Sequence, residues 1–260
     1  MARYFEDPGK KVRRFHPFRI AEHYMAVITF GLLTTTGLSQ RFHELELSQW
    51  IIMNLGGITW VRLIHRYTGL VFTAAILVHV FVALFGLTLR NWPASMVITK
   101  KDFTDAIDNL KYYFGITNRP SLCDRYDYKQ KFEYWGVVVG GVLMIMTGLT
   151  LWFPTVVARY LPGELIPAAK ATHTNEALLA FLVIIIWHIY NSVFSPEVFP
   201  LDTSILVSGH ISRERMVHEH PIELARLEGV PIEEIIAHHD EEEEAMEILN
   251  GKKEKEAPPS

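Results

Sequence analysis

"HRYTGLVFTAAILVH", residues 65–79, is an apolar run with a histidine at each end, and "HTNEALLAFLVIIIWH", residues 173–188, repeats the arrangement. An imidazole inside a segment apolar enough to enter a bilayer is costly unless it has a partner or a task. Both runs belong to longer apolar blocks, which cover roughly residues 20–38, 64–89, 132–153 and 177–194. Each block approaches the ~20 residues that cross ~30 Å of hydrocarbon at ~1.5 Å per residue. A buried helix of a soluble domain is usually shorter and keeps a polar stripe, whereas these blocks are apolar nearly all round. The sequence predicts an all-α integral membrane protein, a bundle of four transmembrane helices.

The distribution of charge orients this bundle. Over the 260 residues, 49% are hydrophobic and 21% charged, so clustering carries the argument rather than the mean. The opening stretch "MARYFEDPGKKVRRFHPFR" is basic and lacks the apolar core of a cleavable leader. The connection between the second and third blocks holds Lys100, Lys101, Lys111, Arg119, Arg125 and Lys129. The other two connections are poor in cations: residues 40–63 carry Arg41 and Arg62, and residues 154–172 carry Arg159 and Lys170. The positive-inside rule puts both termini and the middle connection in the cytoplasm. Three parts are expected: a cytoplasmic segment over 1–19, the four-helix domain over 20–195, and a cytoplasmic tail over 196–260. The "DEEEE" run and terminal prolines make the end of that tail a solvated, disordered stretch rather than a metal site at His238 and His239. The expected location is a bacterial or archaeal cytoplasmic membrane, crossed several times, with lipid as a partner and no nucleic acid.

The histidine spacing points to a cofactor. His65 and His79 are fourteen residues apart, and His173 and His188 fifteen. At ~100° per residue both pairs return to broadly one helix face, about 21–22 Å apart along the axis. The second and fourth helices run in the same direction, so His65 and His173 share the outer level while His79 and His188 share the inner one. Two imidazoles facing each other at one depth suit the two axial positions of haem iron. Zinc would ask for three or four ligands clustered at one depth. Small residues one turn after each ligand leave space for a broad macrocycle: Gly69, Ala83, Ala177 and Ser192. Two b-type haems follow. His23, near the start of the first helix, competes with His79 as the inner partner of His188, and the bulkier Val27 follows it one turn on. Cys123 is the only cysteine, which excludes an internal disulfide, a covalently attached c-type haem and an iron–sulfur cluster held by this chain alone.

These residues resemble a known family. "RIAEHYMAVITFGLLTTTGL", "IHRYTGL", "RYDYKQKFEYW", "MTGLTLWF", "WHIY" and "SGHISRERMVHEHP" are similar to segments of the membrane cytochrome b subunit of respiratory formate dehydrogenases and nickel–iron hydrogenases. The likeness spans roughly residues 13–225. It implies a four-helix dihaem protein whose outer haem is held at His65 and His173 and whose inner haem is held at His23 and His188. This chain adds His79 and separates His173 from His188 by fifteen residues where the family usually has fourteen. Fourteen paired with fifteen instead resembles cytochrome b6, in which the second and fourth helices supply all four ligands. The resemblance also implies a quinone site near "RYDYKQK", with Asp127 and Gln130 facing the quinone's oxygens, although Asp127 stands where the family usually has asparagine. Glu22 and Asp202 are weaker candidates for a proton path.

The expected activity is electron transfer across the membrane. A redox partner subunit on the outer side, an iron–sulfur protein or a multihaem cytochrome c, would exchange electrons through two haems with menaquinone or ubiquinone. Substrate chemistry would then lie on that partner. The apolar connection over residues 40–63, with Trp50, Ile51, Ile52 and Trp60, is read as an interfacial helix or docking surface. One rival is a stand-alone haem oxidoreductase acting on superoxide or ferric ion. Another is a haem-free, histidine-lined transporter, which should show a polar stripe along one helix.

Overall fold

The computed structural model describes residues 5–7, 11–195, 198, 199, 201 and 203–237. Asp202, His238, His239 and the charged end of the tail lie outside them. The chain divides into two compact units, one built from residues 17–94 and 132–195 and the other from residues 1–16, 95–131 and 196–260.

The first unit is a helical bundle. Helix α1 (Pro17–Arg41) is followed by a short helix α2 (Glu46–Asn54) and the long α3 (Ile58–Leu89). Gly56 and Gly57 make the turn between α2 and α3 at φ of 90° and 96°, a region that L side chains avoid. Helix α5 (Tyr128–Trp152) enters this unit from its second turn and is followed by α6 (Pro154–Tyr160), with proline in the first turn, and α7 (Leu165–Leu182). Helix α7 continues through two wider, π-type stretches, Val183–His188 and Tyr190–Phe194. Among the described residues, three helices are long and apolar enough to cross a bilayer: Ile58–Leu89, Tyr128–Trp152 and Leu165–Phe194. Helix α1 is 25 residues long, but Arg19, Glu22, His23 and its run of threonines keep it below that apolar level.

Packing follows the rules of a lipid solvent. Leu77, Phe81, Leu84, Val139, Met146 and Ile186 point outward, while the well-buried positions include Thr29, Thr36, Ser39, Val61, Thr68, Thr147 and Ala169. Small and hydroxyl-bearing residues let membrane helices approach, because lipid already solvates the large apolar ones. Gly140 and Gly141 show how close: a Cβ on Gly140 would lie 2.7 Å from Glu176 Oε1 of α7, and one on Gly141 would lie 2.7 Å from Ile76 Cδ1 of α3.

The second unit has a water-soluble character. Strands β1 (Phe5–Asp7), β2 (Lys11–Arg13) and β3 (His210–Ser212) form an antiparallel sheet in that order, with Val12 opposite Ile211. Helices α4 (Lys100–Tyr113), α8 (Ser204–Val207), α9 (Arg213–Glu219) and α10 (Pro221–Glu228) complete it. Val12, Ile211, Met216, Val217, Leu224, Ala225 and Ile235 make a conventional apolar core. Thr99 and Asp102 cap α4, and Asp102 also takes a buried ion pair from Lys131 at 2.7 Å. Burial alone would raise the Asp102 pKa, but hydrogen bonds from Lys131 and Thr99 outweigh it and hold the carboxyl below its ordinary range. Arg125 reaches Glu223 at 2.5 Å, and Arg14 bonds the Arg125 carbonyl. His220 donates through Nδ1 to the Asp124 carbonyl at 2.8 Å. Burial and the nearby Arg14 push the His220 pKa well below its ordinary value. Burial pushes the Cys123 thiol up, so it stays protonated and unreactive.

Candidate functional site

Four of the five candidate histidines meet in two pairs. His65 of α3 faces His173 of α7 with ring centroids 6.2 Å apart, and His23 of α1 faces His188 at 6.4 Å. The pairs lie toward opposite ends of the bundle, since His173 and His188 are fifteen residues apart on one helix. The π-type stretch Val183–His188 lies within that interval and absorbs an extra residue without turning the face away. Fifteen residues here therefore do the work of fourteen in a regular helix, which accounts for the unusual spacing.

His79 is elsewhere. Its ring packs on Tyr134, with centroids 5.8 Å apart, and both of its nitrogens are engaged. Nε2 lies 3.1 Å from the Tyr134 hydroxyl, and Nδ1 lies 3.2 Å from Glu22 Oε1 and 3.2 Å from Arg19 Nη1. Arg19 in turn donates to Glu22 Oε2 at 2.6 Å. An ionisable side chain inside an apolar helix is here satisfied by a polar cluster from α1 and α5. Glu22 thus serves His79.

The His65–His173 pair is built twice over by the same local device. Thr36 of α1 lies 2.9 Å from His65 Nδ1, and Thr147 of α5 lies 2.9 Å from His173 Nδ1. Each hydroxyl donates to the carbonyl four residues earlier, Leu32 at 2.6 Å and Leu143 at 2.7 Å. With its proton so assigned, each oxygen can only accept from the imidazole, so Nδ1 carries the hydrogen and Nε2 the lone pair. The glycine after each threonine makes room for the ring. A Cβ on Gly37 would sit 3.1 Å from His65 Cε1, and one on Gly148 would sit 3.3 Å from His173 Cε1.

The other pair is held differently. His188 Nδ1 lies 2.9 Å from Glu133 Oε2 of α5, so a carboxylate replaces the hydroxyl. Glu133 Oε1 is buried and takes no hydrogen bond among the described residues.

This arrangement suits two imidazoles sharing one metal. Metal–imidazole bonds of about 2.0–2.1 Å, with a ring radius of about 1.2 Å added on each side, put the two centroids about 6.4 Å apart. The observed separations match, and for His65, His173 and His188 the lone pair is on the nitrogen such a metal needs. A cluster of three or more His, Cys, Asp or Glu side chains, as a zinc site would require, is absent among the described residues.

The sequence reading located the histidines but not the groups that aim them. It looked for small residues on the ligands' own helices, and Gly69 does face open space. Ser192 instead turns its hydroxyl to the His188 carbonyl at 2.6 Å. The glycines that clear space for the rings stand on neighbouring helices. Their signal was an internal echo, "TTTGL" at 34–38 and "MTGLT" at 146–150, each a Thr-Gly pair in an apolar helix. Glu133 was legible as an acid in the apolar block "KFEYWGVVV". Asp127 and Gln130 lie where α5 begins: Asp127 Oδ1 accepts from the Gln130 amide at 2.7 Å and so caps the helix.

Known proteins are similar to this chain. A family model described as prokaryotic cytochrome b561 matches residues 14–200. The chain is 24% identical over 186 residues to the formate dehydrogenase cytochrome b556(fdo) subunit of Escherichia coli K12, covering 70% of this chain and 79% of that protein. It is 26% identical over 179 residues to the formate dehydrogenase cytochrome b556 subunit of Haemophilus influenzae, covering 69% of each.

Proposed function

The chain belongs to the prokaryotic cytochrome b561 family, and from that footing we propose that it is the dihaem electron-transfer subunit of a quinone-linked respiratory complex. It is a membrane cytochrome b of the kind found in formate dehydrogenases. The reading rests above all on one observation: two imidazole pairs with centroids 6.2 and 6.4 Å apart, three of the four rings oriented through Nδ1.

His65 and His173 hold the outer haem b and His23 and His188 the inner one, while His79 belongs to the polar cluster with Glu22, Arg19 and Tyr134. Haem, when bound, supplies reversible one-electron exchange. The protein fixes ligand orientation through Thr36, Thr147 and Glu133 and surrounds both pairs with a water-poor bundle. Four helices span a bacterial or archaeal cytoplasmic membrane, α1 with the three more apolar ones, and both termini face the cytoplasm. An electron moved between the two levels works with or against the membrane potential, about 2.3 kcal/mol per charge per 100 mV.

The outer partner is a redox subunit, an iron–sulfur protein or a multihaem cytochrome c. Leu47, Trp50 and Met53, all largely exposed on α2, offer it or the lipid interface an apolar face. Menaquinone or ubiquinone exchanges electrons at the other level, with Asp127 and Gln130 as the residues proposed to meet its oxygens. The deciding experiment quantifies haem b per chain in wild type, His23→Ala and His79→Ala. Two haems in wild type, one in His23→Ala and two in His79→Ala are expected. Loss of haem in His79→Ala with retention in His23→Ala would overturn the ligand assignment, and a folded wild type without haem would overturn the function.

A further inference from the structure

We propose that Glu133 is a positioning residue that holds the inner haem at a lower midpoint potential than its ligands alone would set. The inference rests on the dihaem reading above and goes beyond it. At the outer level both oriented ligands lean on neutral hydroxyls, Thr36 and Thr147, each at 2.9 Å. At the inner level His188 leans on a carboxylate at the same distance. A carboxylate accepts a stronger hydrogen bond than a hydroxyl does. It also raises the basicity of the imidazole it holds, one of the protein's main levers on a bound metal.

The surroundings leave His188 as the partner of that carboxyl group. Among the described residues Glu133 pairs with no lysine or arginine; its one ionic neighbour is His188. Its second oxygen, Oε1, is buried without a donor. Arg19 of α1 pairs with Glu22 at 2.6 Å. An imidazole held by a carboxylate rather than a hydroxyl would give more electron density to the iron it binds, and so would favour the ferric over the ferrous state. The two haems, alike in ligand type, are thereby made unlike in potential by one side chain.

The test is a redox titration of the haem absorbance of the full chain in detergent, for wild type, E133Q, E133D and E133M. E133Q keeps the length and the acceptor oxygen but removes the charge. It should shift the ferric/ferrous equilibrium of one haem about tenfold toward ferrous, which is about 59 mV upward for a one-electron couple. The other haem should not move, and H188A, which removes the inner haem, identifies which is which. E133M, at home in an apolar bundle, should shift the same haem in the same direction even if E133Q assembles poorly. E133D, with the charge retained, should stay near wild type. Two haems whose potentials are unchanged in E133Q and E133M would overturn this proposal alone. So would equal shifts of both haems, or an E133D shift as large as that of E133Q. Absence of haem from folded wild type would instead overturn the dihaem reading, and this proposal with it.

Discussion

Replacing Thr36 by valine tests the orienting device at the His65–His173 pair. The swap is nearly isosteric, so the packing of α1 on α3 is kept while the acceptor for His65 Nδ1–H disappears. Thr36 is 1% exposed, which bars water from taking its place. A buried donor left without an acceptor costs about 1–3 kcal/mol, or a factor between about 5 and 150 in an equilibrium. Loss of such an outer-shell hydrogen bond typically weakens metal binding 10–100-fold, which is the same range. Thr36→Val should therefore bind haem at the His65–His173 pair roughly ten to a hundred times more weakly. The assay is reconstitution: strip haem from the purified chain, titrate haemin back and follow the absorbance. Thr36→Ser, which restores the hydroxyl, should bind like wild type. If Thr36→Val took up haem with wild-type affinity, neither tautomer nor ring orientation would depend on Thr36, and the reasoning from its two hydrogen bonds would fail.

Other expectations follow from separate parts of the molecule. Gly148→Val at the opposite ligand should lower haem occupancy and thermal stability together, since even a Cβ meets His173 Cε1 at 3.3 Å; overpacking of this kind costs about 1–3 kcal/mol. Gly86→Ala should expel the Trp92 indole, because the added carbon would lie 2.5 Å from its Cδ2; a shift in Trp emission that vanishes in a Trp92→Phe background checks this. Lys131→Met should destabilise the soluble-type unit by roughly 3 kcal/mol, toward the lower end for a broken buried pair because the Thr99 donors remain, as read by hydrogen exchange in α4. His220 stays neutral in the folded state, with its pKa depressed by burial and by Arg14. The unfolded chain binds that proton as pH falls below about 6.5 while the folded one does not, so stability should fall with it. Exchange in α9 and α10 should rise below that pH in wild type and change less in His220→Gln.

Three helices apolar enough to cross a bilayer and most of the paired histidines were legible because hydropathy and helical period are local. A run such as Ile58–Leu89 announces itself by composition, and His65, His173 and His188 by their place in such runs. The helix expected over residues 20–38 forms as α1, but it is less apolar than those three because its polar residues serve neighbours: Thr36 for His65, Glu22 for His79. The small sheet was not read at all. Strands β2 and β3 are three residues each and lie about two hundred positions apart, and no local signal spans such a distance.

The histidine alternatives mark the boundary most clearly. By itself the sequence determined that imidazoles stand at two depths of an apolar bundle, since axial rise and angular period depend only on residue count. It left both His23 and His79 open as partners for His188, spacing favouring His79 and the family resemblance His23. Tertiary structure decided which ring faces which: α1 brings His23 to within 6.4 Å of His188, while α1 and α5 occupy both nitrogens of His79. It also decided that Thr36, Thr147 and Glu133 aim the rings. A hydrogen bond between helices depends on how they pack, and that is set by side chains far apart in the chain, such as Gly141 against Ile76.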